Sequence, residues 1–488
     1  LSSGRIEFIP HRSKGAQTLL EAGAGKADIT PAVGTPLSGF ISRENRPSTG
    51  IDTPLYVRAL ALRAQGQTYF LLSYELLGLN DEIEQQITAA LAADLGPLYA
   101  PERCLLTAVH THSGPPTGLL IGESGPDPAY VDLLKTQSTA AAHQALDALQ
   151  PARLYTTVRH LPGLTYNRRA LLDDGRVSIS PVPDRPVVRR GPLDDSLTIL
   201  LFRDLAGKPL AAVAHFACHG VAVASQHIGA DIPGLLAGEI GARLQAPCLF
   251  LQSAAGDVNP TTVTAGFTEL RDWIRKACTH LDNLEEDLKP APTLPLMAVE
   301  HPFTLEFAPL PPVKVAQRQV DHLKRIAGGD TQSADLQETL RAFKNTMNIP
   351  QDAPLDAAKS RHVAQALAGH ASRVVEAARK GATPPGLPLR LCAWRIGRLA
   401  LVFIAGEVFT STGLKIRGLS ERLTVLPVSC ASPLVGYLPD QEAVFQGGYE
   451  VDDAWRFYGY PAPFAFNSEA RLVMAVVGLI RELSQTGI

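Results

Sequence analysis

The sequence contains no uninterrupted apolar run of about 18 residues or more, so it offers no stretch of the length a membrane-spanning helix needs. It also lacks an excess of charge. Lys and Arg number 45 against 48 Asp and Glu, a net charge of −3. That balance gives no electrostatic footprint for nucleic acid or for an anionic membrane. Cysteine is scarce: six residues, none in a CxxC pair, which in a chain this long is not a disulfide framework. Cys104, Cys248 and Cys392 sit inside apolar runs and read as small buried hydrophobes, which leaves the compartment open. Internal repeats and low-complexity tracts are absent as well. What remains is 488 residues with 45% hydrophobic content, ample for a sizeable core.

Strand-like and helical patterns alternate. Val-, Leu- and aromatic-rich runs bounded by Gly, Pro or Asp predict strands at Tyr56–Arg63, Tyr69–Leu76, Arg103–Val109, Leu154–Val158, Leu197–Phe202, Leu210–Phe216, Cys248–Gln252, Met297–Phe307, Leu389–Trp394, Leu399–Ile404 and Leu423–Val428. Helical periodicity is clearest at Asp81–Asp94, Asp127–Leu149, Ile232–Leu244, Phe267–Leu288 and Asn467–Ser484, with caps expected at Asp81, Ser333 and Asn467. This order predicts an α/β fold of mixed sheets covered by helices. The chain opens on Leu1, and residues 1–20 are read as a leader. Residues 21–488 are expected to form a single domain. Within it, Val313–Gly381 reads as a helical excursion from the sheet, which either packs over the site or supplies a dimer face for a homo-oligomer.

Polar motifs follow several of the apolar runs. His110 and His112 come just after Arg103–Val109. If that strand continues, residues two apart share a face and both imidazoles reach one pocket. One ring could then bind a metal and the other contact substrate or water; a strand-end pair with ordinary hydrogen bonds is the plain alternative. His219 follows Leu210–Cys218. Asp231 opens a helix, where it either caps the first amides or orients a ligand histidine. Small residues in Gln252–Pro260 allow close approach of the backbone to a ligand, with Asp257 in the loop; an Asx turn is the alternative. Glu407 follows an apolar strand and needs a partner, a metal or an arginine, because a buried unpaired carboxylate is costly. Two imidazoles and a carboxylate are a usual shell for catalytic zinc.

Taken in order, these motifs resemble the catalytic domain of the neutral (non-lysosomal) ceramidase family. The likeness begins at Gly23-Ala24-Gly25-Lys26-Ala27-Asp28-Ile29-Thr30-Pro31. It runs through Leu55–Ala59, Thr111–Pro115, Asn167-Arg168, His219, Gly256-Asp257-Val258, Gly406-Glu407 and Gly436-Tyr437 to Tyr449-Glu450. The resemblance implies one zinc ion per chain, held by His110, His219, Glu407 and Tyr437. It matches His112, Arg168 and Tyr449 to positions that contact substrate and stabilise the transition state. It also implies a secreted or periplasmic protein.

Three departures stand out. Asn259 replaces the serine regarded as the family's nucleophile, followed by Thr261 where the family has asparagine; Glu75 stands where aspartate is usual; and the family's C-terminal immunoglobulin-like domain is not expected. An amide cannot be that nucleophile. The expectation is therefore a zinc-dependent hydrolase that cleaves the C–N bond of a small or N-acylated substrate by metal-activated water. His112 or Asp257 would move the proton, and Asn259 would contact substrate. A zinc esterase or lactonase and a non-catalytic ligand-binding relative are the alternatives.

Overall fold

The computed structural model describes residues 19–181, 183, 185–346, 349 and 353–485. The leader assigned to residues 1–20 lies outside them except for Leu19 and Leu20, and Leu20 is buried against the first sheet.

The first sheet has nine strands. Its order is Cys248–Gln252, Pro209–Phe216, Ser196–Asp204, Gln150–His160, Glu21–Asp28, Tyr56–Ala64, Gln67–Tyr74, Cys104–Ala108, with Lys289–Ala291 added on Gln150–His160. The interior pairs are antiparallel, but the last pair at each end is parallel. The terminal strands Cys104–Ala108 and Cys248–Gln252 are buried at every residue, as parallel strands covered on both faces are. The two ends of the sheet also approach each other, and the Ser73 hydroxyl donates to the Phe250 carbonyl at 2.6 Å.

A four-stranded sheet, Leu296–Leu305, Leu387–Ile396, Leu399–Phe403 and Thr424–Val428, packs against it. Leu401, Phe403 and Trp394 share one core with Leu62, Leu71, Val213 and Leu251. Leu296–Leu305 and Leu387–Ile396 are antiparallel neighbours with Leu305 opposite Leu387. Residues 306–386 therefore leave the sheet and return to the same point. They carry helices Val313–Ala327, Gln337–Thr346 and Ala357–Arg379. Val320, Leu323, Leu340, Val363, Leu367 and Val374 form a core of their own that takes in Phe457, Ile41 and Leu120 of the main body.

Two expectations need correction. Asn80, not Asp81, caps the helix Asp81–Leu95, its side chain accepting from the Ile83 amide at 2.9 Å; Asp81 is instead the first helical residue. The helix expected over Phe267–Leu288 stops at Thr279, and a turn that includes Asn283, left-handed at a φ of 54°, separates it from the short helix Leu284–Asp287.

Candidate metal and catalytic centre

The site forms where loops from both sheets meet. The strand Cys104–Ala108 ends before His110, which has a φ of 68°. The two histidines thus converge through a turn and not through strand alternation, with ring centroids 5.0 Å apart and edge-on. His219 follows Pro209–Phe216, and its ring lies 4.7 Å from that of His110. Gln252 ties these two loops together. Its buried amide donates to the Val109 carbonyl (3.1 Å) and the Cys218 carbonyl (2.7 Å), and accepts from the Cys218 amide (3.1 Å). Each of those residues immediately precedes a histidine of the cluster. A glutamine ending the run Cys-Leu-Phe-Leu-Gln was a legible sign, since a buried amide must find partners.

The hydrogen bonds set the tautomers. His110 Nδ1 lies 2.8 Å from the Leu77 carbonyl, His219 Nδ1 2.8 Å from the Ala255 carbonyl, and His112 Nδ1 3.1 Å from the Gly39 carbonyl. A carbonyl only accepts, so each Nδ1 carries a proton and each ring turns its Nε2 inward. The three Nε2 atoms and Glu407 Oε2 are all buried, with no hydrogen-bond partner among the described residues. Glu407 Oε2 stands 3.2 Å from His110 Nε2 and 3.2 Å from His219 Nε2. Without a metal, Glu407 and His110 share charge: against burial, Glu407 raises the His110 imidazole well above its usual value, and His110, then His219, hold the Glu407 carboxyl well below the usual carboxylate range. His112 is pushed well below the usual imidazole value by burial and by its neighbours His110 and His219.

Three imidazole nitrogens and a carboxylate oxygen facing one another in a buried space call for a positive charge between them, a proton or a metal ion. The ligand atoms of His110, His112 and His219 lie within 4.8 Å of one another, so this buried group could hold a metal ion. The two 3.2 Å separations are close to the edge of a tetrahedron whose corners lie about 2.0 Å from a zinc ion, roughly 3.3 Å.

Tyr437 is buried beside this group. It pairs with Glu407 on a short parallel bridge, and its ring stacks on that of His219 with centroids 6.3 Å apart. Arg168 lies over the Tyr437 ring, 5.2 Å from its centre. Its Nε donates to Glu450 Oε1 at 2.9 Å and Nη1 to Asn259 Oδ1 at 3.4 Å, while Nη2 is buried with no hydrogen-bond partner among the described residues. Glu450 is buried and also accepts from Arg169 at 2.6 Å; burial would raise its carboxyl, but Arg169 and Arg168 draw it down. Tyr449 meets the Tyr437 ring edge-on at 5.8 Å.

His110, His112, Arg168, Asn259, Tyr437, Tyr449 and Tyr458 all line one cavity of about 140 Å³, whose remaining wall is mostly apolar: Phe40, Ile41, Leu77, Leu120, Ile179, Val221, Val263 and Phe457. Ile41, Leu120, Tyr449 and Phe457 also pack on the helical excursion.

Other candidates fall elsewhere. Asp257 lines a separate cavity with Asn167 and Arg169. Its Oδ1 accepts from the Thr410 amide and hydroxyl, both at 2.8 Å, and Oδ2 accepts from Asn167 Nδ2 at 2.6 Å. Burial raises its pKa to about 6 against those hydrogen bonds. The glycine of that loop serves a backbone and not a ligand: a Cβ on Gly256 would stand 2.4 Å from the Glu407 carbonyl oxygen. Asp231 takes the amides of Ile232 (2.6 Å), Val223 (3.2 Å) and Ala222 (3.3 Å), so it fixes the loop after His219 as well as the helix start. His215 donates to the Pro427 carbonyl, and Glu75 is held by Arg58 and the Tyr56 amide. Sequence reasoning missed Tyr458, whose hydroxyl donates to Glu407 Oε1 at 2.6 Å. Its setting, Trp-Arg-Phe-Tyr-Gly-Tyr, carried no signal beyond aromatic packing.

A family model described as neutral/alkaline non-lysosomal ceramidase, N-terminal, matches residues 20–290. Neutral ceramidase A of Dictyostelium discoideum is 25% identical over 283 residues, 53% of this chain and 38% of its own length. Neutral ceramidase of Pseudomonas aeruginosa is 25% identical over 256 residues, 49% of this chain and 36% of its own length. The match thus spans under two-fifths of these relatives. Among solved structures, a ceramidase complexed with C2 superposes with a TM-score of 0.69 at 18% identity, covering 96% of this chain and 76% of that one. The neutral ceramidase from Pseudomonas aeruginosa gives 0.66 at 19% identity, covering 96% and 75%. At such identities the structural likeness concerns the fold alone. His110, His112, Arg168 and His219 fall within the matched segment 20–290, whereas Glu407, Tyr437 and Tyr449 lie beyond it.

Proposed function

The chain belongs to the neutral/alkaline non-lysosomal ceramidase family, and from that premise we propose that it is a zinc-dependent amide hydrolase acting on an N-acylated substrate. The observation that carries this reading is the set of partnerless buried acceptors, Nε2 of His110, His112 and His219 and Oε2 of Glu407, facing one another beside an apolar-walled cavity. His110, His219 and Glu407 would hold the ion, with Tyr437 beside them as the fourth ligand. A zinc ion so held polarises a carbonyl and lowers the pKa of a water to about 7.

The chain's own groups do the rest. Arg168 keeps Nη2 free while Glu450 fixes its orientation, so it can donate to the oxyanion that develops when the amide is attacked. Tyr449 lines the same wall and can supply a second donor. Neutral His112, with Nε2 bare, is suited to take a proton from the attacking water and return it to the leaving amine. Asn259 lies within reach of Arg168 and would contact substrate; it leaves the site without a serine nucleophile at this position, so water attacks directly. Asp257, with both oxygens engaged, acts as a positioning residue for the loop that carries Asn259.

The test is elemental analysis joined to a panel of N-acyl amides and matched esters. About one zinc per chain with amide turnover, both lost in His219→Ala, is the expected result. Ester turnover alone would move the reading to an esterase. Bound zinc without hydrolysis of either would leave a ligand-binding relative.

A further inference from the structure

Glu407 uses its two oxygens differently. Oε2 faces His110 and His219 and has no hydrogen-bond partner, whereas Oε1 accepts from the Tyr458 hydroxyl at 2.6 Å. The carboxylate comes from a short two-residue strand, Glu407–Val408, not from a long rigid one, so its side-chain torsions need an outside restraint. Tyr458 is well placed to give it. Its ring stacks on Tyr460 at an interplanar angle of 14° and lies against the backbone of Gly436. A Cβ on Gly436 would come within 2.6 Å of the Tyr458 ring, and φ there is 86°, a conformation that favours glycine. The same Gly436 accepts the Glu407 amide through its carbonyl at 2.8 Å. One glycine therefore fixes the backbone of Glu407 and makes room for the phenol that fixes its side chain.

We infer that Tyr458 is a positioning residue for the metal site, holding Glu407 by Oε1 so that Oε2 alone is presented to a zinc ion together with His110 and His219. The inference rests on the zinc reading given above. Without the phenol, the carboxylate is free to rotate and its second oxygen competes for the same place. Partners of this kind contribute to metal affinity through orientation: losing one typically costs about 10- to 100-fold.

The experiment is zinc titration of the metal-free protein against a chromophoric chelator, for wild type, Tyr458→Phe and Tyr460→Phe, with the melting temperature of each metal-free form. Tyr458→Phe is expected to bind zinc about 10- to 100-fold more weakly while its metal-free melting temperature falls by no more than about 1–3 °C, the cost of one buried hydrogen bond. Tyr460→Phe, which keeps the stacked ring and has no bond to Glu407, is expected to bind zinc as wild type does. Equal affinity in Tyr458→Phe and wild type would overturn the role of Tyr458 and leave the zinc reading standing. A wild-type protein that takes up no zinc would overturn both.

Discussion

Acid should loosen the helical excursion from the wall of the cavity, and His370 provides the measurable part of that effect. His370 lies on the helix Ala357–Arg379. Its Nε2 donates to the Tyr460 carbonyl at 2.7 Å, its ring meets Trp455 edge-on at 5.5 Å, and its Nδ1 is buried with no partner. A second proton would have to sit on that Nδ1. Burial, followed by Arg373 and Arg456, lowers the pKa to about 4, with the Tyr460 carbonyl opposing. The sign follows from linkage. The unfolded chain takes up a proton near pH 6.5, and the folded chain does not until about pH 4, so stability is complete above 6.5 and falls between the two. Full expression of the gap is worth roughly 3 kcal/mol. For a chain of this length, about 1 kcal/mol corresponds to one degree of melting temperature, so the effect is about 3 °C. Asp231 and Asp257, both raised by burial to about 6, act in the opposite direction, so the raw pH curve of the wild type is not diagnostic. The comparison with His370→Gln is, since glutamine keeps a donor for Tyr460 and removes the titration. Melting both proteins between pH 7.5 and pH 4 should show the wild type losing about 3 °C more than the variant. Parallel curves would show that His370 titrates normally and that the burial argument is wrong.

Two further substitutions address the cavity itself. Arg168→Met should leave zinc bound and lower turnover by about 100- to 1,000-fold if Nη2 meets the developing oxyanion; stopped assays beside metal analysis decide it, and unchanged kinetics would remove Arg168 from the chemistry. Asp257→Asn sets an amide against either Asn167 or Thr410, both of which donate to the present carboxylate, and should destabilise the fold by about 1–3 kcal/mol. If His112 and not Asp257 handles the proton, as proposed, the variant's pH–rate profile should keep the wild-type shape; loss of one limb would restore Asp257 as the shuttle.

Much of the fold was legible because most strands are apolar runs cut off by turn residues. The run Cys248–Gln252 is a strand over those same residues, and Leu399–Phe403 is the buried strand its two-sided hydropathy implied. Boundaries failed where a single left-handed residue intervened. Asn283, left-handed, lies in the turn between Thr279 and Leu284 through which the periodicity continues, and periodicity carries no information about φ. The same limit explains the histidine pair. His110 and His112 do reach one cavity, but by a turn at His110, where strand geometry had been the stated reason.

The candidate site was legible in the residues proposed to hold a metal and opaque in their supports, for a physical reason. An imidazole or carboxylate set after an apolar strand is out of place unless something receives it, so His110, His219 and Glu407 stand out as candidates. Their supports do not, because they are mostly backbone. The carbonyls of Leu77, Ala255 and Gly39 fix the three rings, and any residue type provides a carbonyl. Where a support is a side chain, as with Gln252 or Tyr458, it comes from a distant segment and contacts atoms that no spacing rule relates to it. The direction each Nε2 faces is therefore a property of the assembled sheets. That is why substitution of such supports should weaken metal binding while every candidate ligand remains in place.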